Sequence, residues 1–450
     1  MQTLEATADE LSQAEAHILP AFQKSLDDLL RERKDPRPQV SDDRAIFGLA
    51  DKAVRDYHAA TARSSSLPQL SQVQLWEIRQ RLYIQHGALG PLGELLAKEG
   101  VEDIHMNGLD HGYLEYGDHR EPLPASFESE EDLISIVRFY AEQSGRRFDV
   151  SSPIVTVTMR DGSRLNAVLP PIAKPLVITI RKQQLRRFLS LSDLVRSGTI
   201  PARAVPLLEA AVRARLNIIL SGPTGTGKTT LARVLALMIP EGERTCVLET
   251  ETELWLHELR PQFFSLEERD ANVEGAGRIT MQDLFQRAAL RQRPKRIIVG
   301  EVRGTEALDM IHAMSSGHDG SLTTLHASNP QTALDRLEVL AMSADRNLAP
   351  HVVRRMIGAG VDLIVHLSTY HRGDQELRRL ASLAFVAENR ENDLGSPVVS
   401  GLASYRILDD SWDWRREALV HMPDKVWKKL LAAGVNPEDV VREVLGNGES

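Results

Sequence analysis

Only one cysteine, Cys246, occurs in 450 residues, which excludes a disulfide scaffold and any four-cysteine zinc module. A reducing, cytosolic setting fits that usage. No stretch approaches the about 18 apolar residues that a membrane helix needs, and residues 1–10 are too polar for a secretory signal. Any membrane role is therefore expected to be peripheral. Positive charge is also in short supply. Lys and Arg number 54 against 63 Asp and Glu, and the net charge of −9 argues against a surface built to bind nucleic acid directly, although a local basic channel is compatible with it. There is no internal repeat and no low-complexity segment. What remains is an ordinary folded composition on a chain long enough for two or three domains.

The most informative stretch is residues 217–230, NIILSGPTGTGKTT. A short apolar run rich in β-branched residues enters a glycine-rich loop, and an alanine- and leucine-rich segment leaves it. Read locally this is strand, tight loop, helix, and the loop matches the phosphate-cradling pattern G-x-x-x-x-G-K-[ST]. Gly222, Gly225 and Gly227, with Pro223, Thr224, Thr226 and Thr230 around them, let successive backbone N–H groups point at an anion. The positive end of the following helix adds to that field. Lys228 is expected to reach the β- and γ-phosphates, and Thr229 to ligate Mg²⁺.

In chain order, residues 1–33 read as an amphipathic helix with Leu4, Leu11, Ile18, Phe22, Leu26 and Leu29 on its apolar side. A breaker at 34–39 precedes helical pieces at about 42–62 and 71–85. This region, 1–88, is either a docking appendage or an extension packed on its own chain. Residues 89–185 alternate short strands and turns with one helix at 130–144 and a hairpin at 154–169, an α+β domain. A helical linker, 186–215, leads to the nucleotide domain, 216–390. There, strands at 217–220, 245–248, 296–299, 321–325 and 363–367 alternate with helices, the pattern of an α/β fold with a parallel sheet. The phosphate loop then sits at the carboxyl edge of that sheet. The tail, 391–450, is less regular, apart from a helical end at 424–445 broken at Gly434.

A strand ending in an acid should lie beside such a loop, and 296–301, RIIVGE, supplies Glu301 to position the water that attacks the γ-phosphate. Glu249 and Glu253, just past the strand at 245–248, either converge on a metal's water shell or are solvated acids at a helix start. His318 and His326 flank a β-type run, and a neutral imidazole near the γ-phosphate could sense charge there; a lone histidine is more often structural. The basic cluster Arg287, Arg291, Arg293, Lys295 and Arg296 reads as a phosphate-facing set, a nucleic-acid patch or a solvated face.

Taken together, these stretches resemble the secretion and pilus-assembly ATPases of the type II/IV secretion superfamily, most closely the CpaF-type ATPases of Tad/Flp pilus systems. The resemblance rests on VEDIHMNG at 101–108, GRRFD at 145–149, SP at 152–153, DGSRLN at 161–166 and TIRK at 179–182. It continues through the phosphate loop, NVEG at 272–275, IIVGEVRG at 297–304 and GHDGSLTTLHA at 317–327. It implies a RecA-like P-loop NTPase domain preceded by a PAS-like α+β domain and a helical extension. It also implies an acidic box at 248–254 holding Glu249 and Glu253, with Thr229 and Glu301 completing the Mg²⁺ environment partly through water. Glu301 is then the Walker B acid, and His326 falls in the histidine box. Arg181 matches an arginine that reaches over bound nucleotide, and Arg291 and Arg303 match arginines near phosphate or subunit contacts. ATP and ADP are the implied ligands. A homohexamer on the cytoplasmic face of the inner membrane, working on a membrane platform, is the implied assembly. Three positions depart from the family pattern: Thr250 in the acidic box, Val150, and Gln183 after the TIRK segment.

Overall fold

The computed structural model describes residues 8–31, 38–63, 66–87, 89, 91–109, 111–116, 119–124, 127, 129–183, 190–269, 271, 275–345, 347–373, 375–389 and 396–446. Leu4, residues 34–37 of the breaker at 34–39, residues 186–189 at the start of the linker and residues 272–274 of the NVEG segment lie outside them. The chain divides into two compact units, 1–184 with 272–276, and 185–271 with 277–450.

In the first unit, helix Ala8–Leu30 buries Ala14, Ile18, Phe22, Leu26 and Leu30, a four-residue spacing that keeps one stripe inward. That stripe packs on Ile46, Ala50 and Val54 of helix Asp43–Thr61 and on Leu75, Ile78 and Leu82 of helix Gln72–His86. Ser71 starts the last of these with a capping box to Gln74, so two backbone donors at the helix end are satisfied. A six-stranded antiparallel sheet follows, in the order Arg120–Pro122, Gly112–Tyr116, Val101–Asn107, Val177–Arg181, Arg164–Val168, Ile154–Thr158. Helix Glu130–Gln143 covers one face through Leu133, Val137 and Tyr140.

The helices are not a free appendage. Asp43, fully buried, accepts hydrogen bonds from the hydroxyls of Tyr83 and Tyr140, the latter at 2.9 Å, and pairs with Arg160. One carboxylate thus joins two of the N-terminal helices to the helix and the turn of the α+β sheet. A buried charge tolerates that position only when paired and hydrogen-bonded, as here.

The second unit is built on a nine-stranded sheet. Its order is Ser411–Trp414, Val398–Arg406, Gln375–Ala387, Leu363–Arg372, Ile218–Ser221, Leu322–Leu325, Arg296–Val299, Thr245–Glu249, Phe263–Glu267. From Leu363–Arg372 onward the neighbours are parallel, and the first three strands extend the sheet antiparallel. Both faces of the parallel part are covered, which is why its strands read as continuous apolar runs. Ile218 and Leu220 face helices 205–213 and 228–237, whereas Ile219 faces the layer of helices 306–315, 330–344 and 350–360. Among the described residues no helix is long and apolar enough to cross a membrane.

Two features differ from the sequence reading. Strand Phe263–Glu267 forms the far edge of the sheet, and residues 398–445 join the nucleotide unit rather than trailing from it. Val398–Arg406 and Ser411–Trp414 add two strands, and the Trp412 indole donates to Leu380 O at 2.7 Å. Helices Asp424–Ala432 and Pro437–Leu445 bury Val426, Leu430, Val440 and Val444 in the same core as Leu207, Leu208 and Leu235.

Candidate nucleotide site

The strand Ile218–Ser221 is fully buried and delivers the loop at its carboxyl end, where helix Lys228–Leu237 begins. The helix cap is Gly227 at φ 93°, a left-handed conformation that costs a side-chain-bearing residue about 1 kcal/mol or more. Gly222 is required for a different reason. A Cβ there would lie 2.3 Å from Leu367 O and 3.0 Å from Thr226 Oγ1. Gly222→Ala must push the loop off strand Leu363–Arg372. We expect it to weaken nucleotide affinity at least about tenfold in a fluorescent-nucleotide titration, because the cradle is the loop's own backbone.

Lys228 is buried, and its ammonium donates to Gly222 O at 2.9 Å and Pro223 O at 2.7 Å. Its Nζ also lies 3.5 Å from His326 Nδ1. Burial lowers the pKa of Lys228, and the nearby Glu301 and Glu253 carboxylates oppose that shift. His326 Nε2 sits 2.8 Å from Glu301 Oε1, off the line of a good hydrogen bond, and Arg303 Nη2 is 2.5 Å from Glu301 Oε2. A ring protonated at Nε2 and bare at Nδ1 suits both neighbours of His326. Burial first and the Lys228 charge second push its pKa down, so this neutral form is favoured. Arg303, mostly exposed, has its pKa raised by its pairing with Glu301.

The acidic segment is anchored from below. Glu249 ends its strand almost fully buried, and its Oε1 accepts from the backbone N–H groups of Glu253 and Leu254, both at 2.9 Å. Its Oε2 is buried without a hydrogen bond from the protein. Burial pushes the Glu249 carboxyl up to about 7, against the pull of those two N–H groups. The glycine before Glu301 is explained by this carboxylate, since a Cβ on Gly300 would lie 2.9 Å from Glu249 Cγ. Glu253 is exposed, with Oε2 3.5 Å from the Thr229 hydroxyl. A cation held with phosphate suits this donor set: a hydroxyl at a helix start, an exposed carboxylate and the unbonded oxygen of a second.

Seven of the residues singled out by sequence therefore belong to one neighbourhood in the second unit: Lys228, Thr229, Glu249, Glu253, Glu301, Arg303 and His326. Arg181 belongs to the first unit, at the end of strand Val177–Arg181, where its Nε donates to Asp103 at 3.0 Å. Arg291 is exposed on the 3-10 turn Leu290–Gln292. The rest of the basic cluster disperses. Arg296 is buried against Glu243 and donates to Val212 O, and Arg287 pairs with Asp283 on its own helical turn. His318 lies before strand Leu322–Leu325, at the edge of the sheet opposite His326.

Two neighbours escaped the sequence reading. Arg233, inside helix Lys228–Leu237, donates to Glu253 O at 2.8 Å and Leu254 O at 3.1 Å, tying the acidic segment to the phosphate-loop helix. Burial lowers it to about 10, so it stays charged near neutral pH. An arginine in a run of alanine and leucine was its only available signal. His366, on strand Leu363–Arg372, is buried with Nδ1 2.9 Å from the Ser221 hydroxyl.

The family described as Type II/IV secretion system protein matches residues 85–380. A putative conjugal transfer protein of Mycobacterium tuberculosis is 32% identical over 300 residues, covering 65% of this chain and 84% of its own length. The type IV secretion system protein PtlH of Bordetella pertussis is 33% identical over 251 residues, covering 50% of this chain and 73% of its own. Among solved structures, the VirB11 ATPase of the Brucella suis type IV secretion system, in complex with sulphate, is 27% identical with a TM-score of 0.35, over 66% of this chain and 93% of that one. By the extent of the family match and the identity to the mycobacterial relative, the chain belongs to the type II/IV secretion system protein family.

Proposed function

We propose that this chain is an ATP-hydrolysing motor of a secretion or pilus machine. One observation carries the reading: His326 stands between Lys228 of the phosphate loop and Glu301, 3.5 Å from one and 2.8 Å from the other. A cation for the phosphates and a base for the water are thereby held in one cluster, the minimum that phosphoryl transfer to water requires. Gly222 to Thr230 cradle the triphosphate, with Lys228 moving from its loop carbonyls to the β- and γ-oxygens. Glu301 orients the attacking water and takes its proton. Mg²⁺, when bound with ATP, would supply positive charge to the phosphates, and Thr229, Glu253 and Glu249 are the residues that would hold it. Arg303 neutralises charge that develops as the bond breaks, and Arg181 and Arg291 are the further arginines that the family resemblance offers for that role.

The assembly proposed is a homohexamer, peripheral to the cytoplasmic face of the inner membrane and acting on a platform protein there. The motif order supports a Tad/Flp-type pilus as the machine. The conjugal-transfer and type IV secretion names of the relatives favour a second reading, a conjugation or secretion ATPase with the same site. The purified chain should release phosphate from ATP only with Mg²⁺ present, and Lys228→Ala should lower that rate by at least about a hundredfold. Phosphate release equal in Lys228→Ala and wild type, or unaffected by chelator, would overturn the reading.

A further inference from the structure

We propose that His366 is a positioning residue that clamps the base of the phosphate loop to the segment carrying His326. Ser221, the last residue before Gly222, lies with its hydroxyl 2.9 Å from His366 Nδ1. The Ser328 backbone, two residues beyond His326, also hydrogen-bonds the ring. That bond favours the protonated ring, so it runs from the ring N–H to a carbonyl, which leaves Nδ1 to accept from Ser221. Burial holds the ring neutral, down at about 4, so the assignment does not change near neutral pH. The next residue contributes as well, since Leu367 O closes on the α-carbon of Gly222.

The strand Leu363–Arg372 pairs directly with Ile218–Ser221 and lies on the side away from Leu322–Leu325. His366 thus reaches across the phosphate-loop strand to grip the loop that leaves the next one. Among the described residues no hydrogen bond joins the ring to Gly222–Thr230 or to Glu301. It fixes where His326 stands relative to Lys228, and so the register of the sensing imidazole and the acid behind it. The kinetic part of this inference rests on the ATPase reading, whereas the ring geometry does not.

The test uses the full chain. His366→Gln keeps an acceptor for Ser221 and a donor for the Ser328 carbonyl, whereas His366→Phe keeps only the volume. His366→Phe is expected to lower kcat about tenfold or more, with KM and ADP affinity within about threefold of wild type, and His366→Gln to recover most of the loss. Equal loss in both variants, or no loss in His366→Phe, overturns the clamp. Ring-nitrogen NMR of the wild-type chain supplies a readout independent of turnover. It should find His366 bare at Nδ1 and protonated at Nε2, with the Nδ1 signal moving in Ser221→Ala. A ring protonated at Nδ1, or one exchanging between tautomers, overturns the proposal even if the chain hydrolyses ATP. A wild-type chain that hydrolyses nothing overturns the ATPase reading, and the ring signals still decide this one.

Discussion

Glu301→Gln is expected to slow ATP hydrolysis by about 10²–10⁴ while changing nucleotide affinity less than about threefold. Glutamine has the same shape, so the approach of His326 is preserved. It cannot take a proton from water, and it removes the charge that faces Arg303 at 2.5 Å. The acid is well placed for that role by backbone geometry. Val302 N–H donates to Thr324 O at 3.0 Å and the Thr324 hydroxyl donates to Gly300 O at 2.7 Å, so the chain around Glu301 is stitched to the strand beside the phosphate loop. Glu301 is only 19% exposed, which leaves it two close partners, one basic and one neutral. Single-turnover phosphate release measures the chemical step, and titration with a fluorescent ADP analogue measures binding. Unchanged turnover in Glu301→Gln would favour a nucleotide-gated scaffold, because such a protein binds without needing a base. Loss of binding in parallel with turnover would instead make Glu301 a structural carboxylate.

The parallel part of the sheet was legible because buried strands in such sheets are apolar on both faces. Residues 245–248, 296–299 and 363–367 are runs of that kind, and the structure places strands over each of them. The strand at Phe263–Glu267 carries less signal, since only Phe263 is buried and its edge position leaves the rest half exposed. The antiparallel extension is similar. Val398–Arg406 is mostly half exposed, and its pairing to Gln375–Ala387 spans a connection with no two-residue turn to announce it. At the site, residues close in sequence to the glycine-rich loop or at an acidic strand end were readable from spacing. Arg233 and His366 were not, because their partners lie 20 and 145 residues away and no local pattern marks either bond.

A buried carboxylate at the opposite edge of the sheet gives the largest expected effect on stability. Asp362 is fully buried, and its Oδ2 accepts from the Asn217 backbone N–H at 2.8 Å and from Lys429 Nζ at 2.6 Å. Lys425 Nζ lies 3.4 Å from its Oδ1. Both lysines come from helix Asp424–Ala432, four residues apart and so on one face. Lys425 also donates to Gly358 O at 2.6 Å and to Val361 O, satisfying carbonyls at the end of helix Pro350–Gly360. Asn217 completes the junction, its amide donating to Met314 O and Gly360 O and accepting from Ser321 N–H. Helix Asp424–Ala432 is thus bolted to the residue just before the phosphate-loop strand. Asp362→Ala takes the shared carboxylate from two half-buried ammonium groups, leaving Lys429 with Asp319 and Lys425 with backbone carbonyls, and strips the buried Asn217 N–H of its acceptor. A loss of about 3–5 kcal/mol follows, seen as a fall of about 10 °C or more in the thermal midpoint. Asp362→Asn should lose less, since its amide oxygen still accepts from Asn217. Adding Lys429→Met to Asp362→Asn should recover part of the remainder, because the half-buried charge that lost its buried counter-ion is then gone and Asp319, partly exposed, can hydrate. A midpoint within about 2 °C of wild type in Asp362→Ala would mean that apolar burial alone, by Val426, Leu430 and Val444, holds the tail on the nucleotide unit.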